Sequence, residues 1–274
     1  MSMGRKLALV LALCGALPAW GQDLVMAVSE GTSGGLDHAQ VVTKYQGLAD
    51  VIGRSIKKKV NVIFAREFAQ LEDGMRTKRF DFVIARPSDY PARGVKIHGY
   101  HYLASAKPDG QCLLITGKDS GIKTVADLRG KRIVMPEPAA YMTKFCRAEL
   151  RDLGIDLAKE KVQYVREQGA VAFYIDNKFA DAGGIASYSG VAKKWAKDGN
   201  VVLHRSRPQP YFPLIAAGHV TEAQRAEIRK SLAAMHQNPA DQAVLKTVGI
   251  EAFDTESGAR LDKLLDWLGA EKGV

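Results

Sequence analysis

The chain has 274 residues, 46% hydrophobic and 25% charged, with a formal net charge of +9. That length suits one large domain or two lobes of about 100–150 residues each. The composition excludes solenoids, coiled coils and disordered scaffolds, and the scattered charges give no sign of nucleic-acid binding.

Residues 1–21 stand apart. Arg5 and Lys6 precede the apolar run LALVLALCGAL, and Ala19-Trp20-Gly21 places small residues at −3 and −1. This pattern predicts a secretory signal cleaved after Gly21 and a periplasmic mature protein. Cys14 follows Leu13 rather than the small residue a lipid-attachment site requires. No later stretch approaches about 18 uninterrupted apolar residues, so no transmembrane helix is expected. Losing Arg5 and Lys6 and no acid leaves 37 basic and 30 acidic residues, a net charge of +7. A basic balance suits an anionic solute.

LVMAVS (24–29) reads as a buried strand. Val41, Tyr45, Leu48, Ile52 and Ile56 then recur at helical spacing. VNVIFA (60–65) predicts a second strand, FAQLEDGMRTK a helix and FDFVIA (80–85) a third strand. A βαβαβ order implies a mainly parallel sheet with ligands at the strand C-terminal ends. The alternation restarts with CLLIT (112–116), KRIVM (131–135), a helix near 140–153, VQYV (162–165), a helix near 169–177 and DAGGIA (181–186). VVLH (201–204) and FPLIAA (212–217) follow, and Thr221-Glu222-Ala223-Gln224 is a capping-box pattern that opens a helical tail. The expected division is residues 22–108 plus 204–274 as lobe one and 109–203 as lobe two, with a ligand cleft between them.

Several side chains sit where such a cleft would lie. GTSGG (31–35) follows the first strand. The Thr32 and Ser33 hydroxyls and the Gly34 backbone could cradle an anion at a helix start, or simply cap a flexible turn. The same residues match G-x-S-x-G, which makes Ser33 a candidate hydrolase nucleophile, although no histidine is marked as its partner. Arg86 ends a buried strand and could hold an anion bidentately, with Ser88 adding a hydroxyl. Its alternative is a structural salt bridge to Asp89 or Asp81. Phe68, Tyr141 and Tyr188 are pocket walls or core aromatics. His38, His98, His101, His204, His219 and His236 show no metal-ligand spacing, so neither a metal nor a cofactor is expected. Cys112 and Cys146 remain after export, and an even pair in an exported chain points to a disulfide. The alternative is a free thiolate pair which, with Met142 nearby, would make a soft-ligand site.

KDSGIKTVADLRGKRIV (118–134), FAQLEDGMRTKRFDFVIARPSDY (68–90), QPYFPL (209–214) and VLKTVGIEAFD (244–254) together resemble the phosphate/phosphite/phosphonate-binding (PhnD-like) group of ABC-transporter substrate-binding proteins. The resemblance covers nearly the whole mature chain. It implies an α/β, two-lobed type II periplasmic binding fold, no catalysis, and capture of a small anionic solute for a membrane permease. Such proteins place a Ser-Thr-Ser-Gly cluster at the helix start after a lobe-two strand. Here that stretch is Pro138-Ala139-Ala140-Tyr141-Met142-Thr143, where Tyr141 and Thr143 carry the hydroxyls. Where the group carries a histidine and an aspartate, this chain has Gln168-Gly169 and Ser187-Tyr188; Phe68 and Ala85-Arg86 replace first-lobe tyrosines. Some relatives sense oxyanions or arsenite and signal through a sensor kinase, which is the second functional expectation. The expected solute contacts are Thr32, Ser33, Gly34, Phe68, Arg86 and Ser88 from lobe one, and Tyr141, Met142, Thr143, Ser187 and Tyr188 from lobe two. The protein is expected to act as a monomer.

Overall fold

Apolar runs become strands and the amphipathic stretches between them become helices laid across the sheets. The computed structural model describes residues 23–31 and 35–269. The predicted signal, residues 1–21, lies outside that range. β1 (Leu24–Ser29), α1 (His38–Ile56), β2 (Val60–Phe64), α2 (Phe68–Arg76) and β3 (Phe82–Ala85) follow the expected order. Met26 stands opposite Val62 on one side and Phe82 on the other, both in parallel register. Asp37 and Gln40 form a capping box at the start of α1, whose Val41, Tyr45, Leu48 and Ile52 are buried against the sheet.

α3 (Asp89–Lys96) leads into β4 (Tyr100–Gly110), and β5 (Cys112–Thr116) begins a second sheet. That sheet adds β6 (Arg132–Pro136), α4 (Tyr141–Asp152), β7 (Lys161–Val165), α5 (Gln168–Asp176), β8 (Ala182–Ala186), α6 (Gly190–Lys197) and β9 (Val201–Arg205). The chain then returns through β10 (Gln209–Ala217), α7 (Glu222–Ala234), α8 (Pro239–Val248), β11 (Ala252–Asp254) and α9 (Gly258–Leu268).

The strand orders are β11-β4-β10-β3-β1-β2 and β7-β6-β8-β5-β9. Both sheets are mixed where mainly parallel ones were expected. β1 pairs parallel with β2 and β3, and β6 with β7 and β8, as βαβ crossovers require. The remaining pairings are antiparallel, because β4 and β10 carry the chain between the sheets in opposite directions. The two crossings lie side by side. Gln111 Nε2 donates to the Ser206 carbonyl at 2.6 Å, Cys112 N donates to Ser206 Oγ at 2.9 Å, and Gly110 stands opposite Gln209.

Each sheet is covered on both faces. One core unites Met26, Tyr45, Leu48, Phe82 and Ile228, and another packs Leu71, Met75 and Phe80 on the opposite face. In the second sheet Val171, Ile175 and Trp195 cover one face. On the other face α4 packs with α9, where Phe145, Leu150, Leu261, Leu264 and Leu268 share one cluster.

Candidate functional site

The C-terminal ends of β1 and β3 bring two loops together. Gly31 has φ +57, and a Cβ there would stand 3.2 Å from Pro87 Cδ, so glycine suits both the left-handed turn and the close approach. Beside it lies Glu30, only 4% exposed. Its carboxylate accepts from Arg86 Nε, from Lys44 Nζ at 2.7 Å and from the Tyr45 hydroxyl at 2.6 Å. Burial pushes the Glu30 carboxyl up, but the Arg86 and Lys44 charges and the donated hydrogen bonds together hold it below its ordinary value. Arg86 is itself buried, with its guanidinium 4.7 Å from the Phe212 ring centre and 5.5 Å from that of Tyr211. Its ion-pair partner is therefore Glu30, and neither Asp89 nor Asp81. The Glu30, Arg86 and Lys44 cluster retains one positive charge in excess.

Across from this cluster lies the start of α4. Tyr141 is buried, and that burial pushes its phenol well above the ordinary range. Tyr188 stacks on Tyr211 with ring centres 3.8 Å apart, and its phenol is also raised by burial. Gly31, Phe68, Arg86, Pro87, Tyr141, Met142, Gln168 and Tyr188 line one crevice. Its cavity volume is about 10 Å³, room for about one water molecule.

Phe68, Tyr141 and Gln168 are the first residues of α2, α4 and α5. None of these three helices has a side-chain cap on its N-terminal amides. The first residue of each helix lines the crevice, which sets three positive dipole ends beside it, although the Ala170 amide of α5 already donates to the Glu167 carbonyl at 3.0 Å.

Phe68, Arg86, Tyr141, Met142 and Tyr188 are the expected contacts that the fold brings together here. Three others are not among the residues that line the crevice. Ser88 is fully buried, with its hydroxyl 3.5 Å from the Arg86 carbonyl. Thr143 Oγ1 donates to the Pro136 carbonyl at 2.7 Å, so its proton is already committed to tying α4 to β6. Ser187 Oγ accepts from Gln111 N at 3.1 Å, at the crossing between the sheets. Thr32, Ser33 and Gly34 fall outside the described residues. They follow Gly31 directly.

Cys112 and Cys146 are joined by a disulfide. The bonded sulfurs offer no thiolates to a soft ligand, which removes the chemistry expected of a cysteine–Met142 site. Among the described residues no group of three or more His, Cys, Asp or Glu is placed to hold a metal ion.

Glu30 and Lys144 were not named from the sequence, and Gln168 and Asp89 were named there only as a family replacement and as an alternative salt-bridge partner, not as solute contacts. Gln168 Oε1 accepts from Ala186 N at 2.7 Å, which fixes the side chain and leaves its amide N–H groups as donors at the crevice. Asp89 Oδ2 accepts from Lys144 Nζ at 3.0 Å, an ion pair from α3 to α4. A carboxylate directly after a buried strand, as in AVSEG, was the one local signal available for Glu30.

The family described as "ABC transporter, phosphonate, periplasmic substrate-binding protein" matches residues 35–260. Among solved structures, XAC2383 from Xanthomonas citri bound to ATP is 17% identical with a TM-score of 0.73, covering 90% of this chain and 96% of that one. PhnD1 from Prochlorococcus marinus (MIT 9301) in complex with methylphosphonate is 10% identical with a TM-score of 0.71, covering 89% and 96%. The periplasmic aliphatic sulphonate binding protein SsuA from Escherichia coli is 17% identical with a TM-score of 0.60, covering 90% and 83%. At these identities the likeness is one of fold, and that fold is the two-sheeted α/β architecture of type II periplasmic binding proteins. The family match spans most of the chain: the protein belongs to the periplasmic substrate-binding proteins of phosphonate-type ABC transporters, which carry a small solute to a permease and are not enzymes.

Proposed function

We propose that the crevice captures a small solute bearing an oxyanion or carboxylate group. Lobe one (22–108 plus 204–274) and lobe two (109–203) part and close about the paired crossings near Gln111 and Ser206. The observation that carries this reading is the convergence of three uncapped helix N-termini, those of α2, α4 and α5, on one crevice walled by Arg86. An excess positive charge in the Glu30, Arg86 and Lys44 cluster supports it, as does the Gln168 amide. Phe68, Met142 and Tyr188 supply apolar walls. Thr32, Ser33 and Gly34, which follow Gly31 in the sequence, add hydroxyls and amides. The chain is exported through residues 1–21, cleaved after Gly21, acts as a monomer, and presents its closed form to the permease.

A thermal-shift panel of phosphate, methylphosphonate, ethanesulfonate, acetate and uncharged solutes tests the proposal. Stabilisation by an oxyanion or carboxylate, lost in Arg86→Met, is expected. No shift with any anion overturns it.

A further inference from the structure

α5 begins at the crevice with Gln168 and ends at a surface that solute capture does not use. Among the described residues five large apolar side chains are exposed. Three of them, Tyr164 at 46%, Phe173 at 54% and Phe179 at 56%, belong to β7, α5 and the turn that follows α5. The rings of Phe173, Tyr174 and Phe179 touch one another, with centres 5.7–6.3 Å apart. Gln163 Nε2 on β7 lies 3.5 Å from the Tyr174 hydroxyl, and β7 closes one edge of its sheet, next to β6. Phe179 N donates to the Tyr174 carbonyl at 2.8 Å, which holds the turn against the helix. Apolar side chains exposed singly need no explanation, but a contiguous aromatic cluster marks a contact surface.

The surroundings of this cluster are basic. Lys178 stands beside Phe179 in the turn, with φ +60. Asp181 N donates to the Arg132 carbonyl at 2.8 Å and Arg132 stands opposite Lys161, so the starts of β6 and β7 lie beside the end of that turn. Lys118 follows Gly117, where a Cβ would stand 3.8 Å from Ile175 Cγ2 on the last turn of α5. Segments 117–132, 156–161, 176–181 and 193–200 form this end of lobe two and carry 11 basic and 7 acidic residues, a net charge of +4. Arg132 pairs with Asp181 and Lys194 with Asp198. Lys118, Lys161 and Lys178 are exposed and join no ion pair among the described residues.

We propose that this end of lobe two docks on the surface of an anionic phospholipid bilayer. Phe173 and Phe179 enter the interface, and Lys118, Lys161 and Lys178 meet the headgroup phosphates. The composition decides between lipid and protein as the occupant. Protein-binding surfaces pair their aromatics with arginine and are depleted in lysine, whereas phenylalanine ringed by lysine suits a bilayer surface. Because α5 carries its other end to the crevice, docking here leaves the crevice clear of lipid. A reversible hold of this kind keeps the carrier at the bilayer that contains its permease and raises the local concentration of one around the other. The inference stands independently of the oxyanion reading.

Co-sedimentation of the mature chain, residues 22–274, with lipid vesicles tests this. The vesicles hold about one-third phosphatidylglycerol in phosphatidylcholine, or phosphatidylcholine alone, at about 50 mM and about 500 mM salt. Binding to the anionic vesicles at low salt is expected, and at least about tenfold weaker binding at high salt or on phosphatidylcholine alone. Phe173→Ser/Phe179→Ser is expected to weaken it at least about tenfold. Both sites are exposed, so the urea midpoint of that variant should not move. Lys118→Gln/Lys161→Gln/Lys178→Gln is expected to weaken binding at least about tenfold as well. No association of the unaltered chain with the anionic vesicles overturns the inference. Full binding by the phenylalanine variant would reduce the contact to a diffuse attraction of charge, and full binding by the lysine variant would place it elsewhere on the molecule; either result also overturns it.

Discussion

Arg86 and Glu30 stand 56 residues apart in the chain, yet Arg86 Nε donates to Glu30 Oε2 in a buried ion pair at the crevice wall. Glu30 also receives Lys44 Nζ and the Tyr45 hydroxyl, so one carboxylate organises three donors from two elements. The pair holds the arginine side chain in place before a solute arrives.

Glu30→Gln is accordingly expected to be costly. Removing one partner of a buried pair leaves an uncompensated charge, and such changes cost about 3–5 kcal/mol. Urea unfolding of the variant should show a loss of about 3 kcal/mol or more. Adding Arg86→Met to Glu30→Gln should cost less than the two single losses summed, because the orphaned cation is gone. Strict additivity would show that the two side chains are not energetically coupled.

The same pair sets a pH dependence. Burial raises the Glu30 carboxyl, but Arg86, Lys44 and the hydrogen bonds outweigh it and leave the folded value below the ordinary 4.5. A carboxyl depressed on folding contributes stability that is present above its unfolded value and lost as the pH falls through its folded value. The stability difference between the natural protein and Glu30→Gln should therefore be flat from neutral pH down to about 4.5, then shrink on further acidification. Urea midpoints measured across that range check it, and a difference that grew in acid would contradict the sign.

The disulfide joins β5 to α4 across 34 residues. Chain entropy for a loop of that size gives about 4 kcal/mol, and measured values commonly fall short of it. The double variant Cys112→Ala/Cys146→Ala should lose about 2–4 kcal/mol in urea unfolding. It should also bind solute more weakly, since α4 begins with Tyr141. The bond's surroundings leave no slack: a Cβ at Gly184 would meet Cys146 Sγ and Met135 Sδ, each at 2.7 Å. Gly184→Ala should thus cost about 1–3 kcal/mol through overpacking, and a neutral result would show that the two sulfurs can move aside.

The sequence made the frame legible because the frame is written locally. LVMAVS, CLLIT and DAGGIA are apolar runs of strand length, and Thr221 to Gln224 is a cap whose two side chains lie three residues apart. β4 escaped because YHYLASAKPDG mixes buried and exposed positions and contains a proline. Five of the eight residues that line the crevice, Phe68, Arg86, Tyr141, Met142 and Tyr188, were also named from the sequence, at strand ends and helix starts. What no local pattern carries is pairing. That Arg86 belongs to Glu30, or Lys144 to Asp89 55 residues away, depends on which strand ends the topology sets side by side. Thr143 misled for a related reason: a hydroxyl in a helix's first turn looks available until the fold gives it the Pro136 carbonyl.

α9 links the helices that flank the cleft. Lys96 Nζ on α3 reaches Asp266 Oδ1 at 2.7 Å, Trp267 Nε1 donates to Asp152 Oδ2 at 2.8 Å, and the Trp267 ring meets Phe145 edge-on at 5.2 Å. Its Leu261, Leu264, Leu265 and Leu268 are buried with α4, while Arg260 bonds Asp109 at 2.5 and 3.1 Å beside the crossing. A helix bonded to α3 on one side and packed on α4 on the other resists their separation. Leu264 is 1% exposed, and truncating a leucine buried in this way costs about 2–4 kcal/mol. Leu264→Ala should show that loss in urea unfolding. It should also raise the radius of gyration of the ligand-free protein in solution scattering, because the cleft opens more readily once α9 grips α4 less firmly. A destabilised variant with an unchanged radius would confine α9 to packing and leave the opening to the crossings at Gln111 and Ser206 alone.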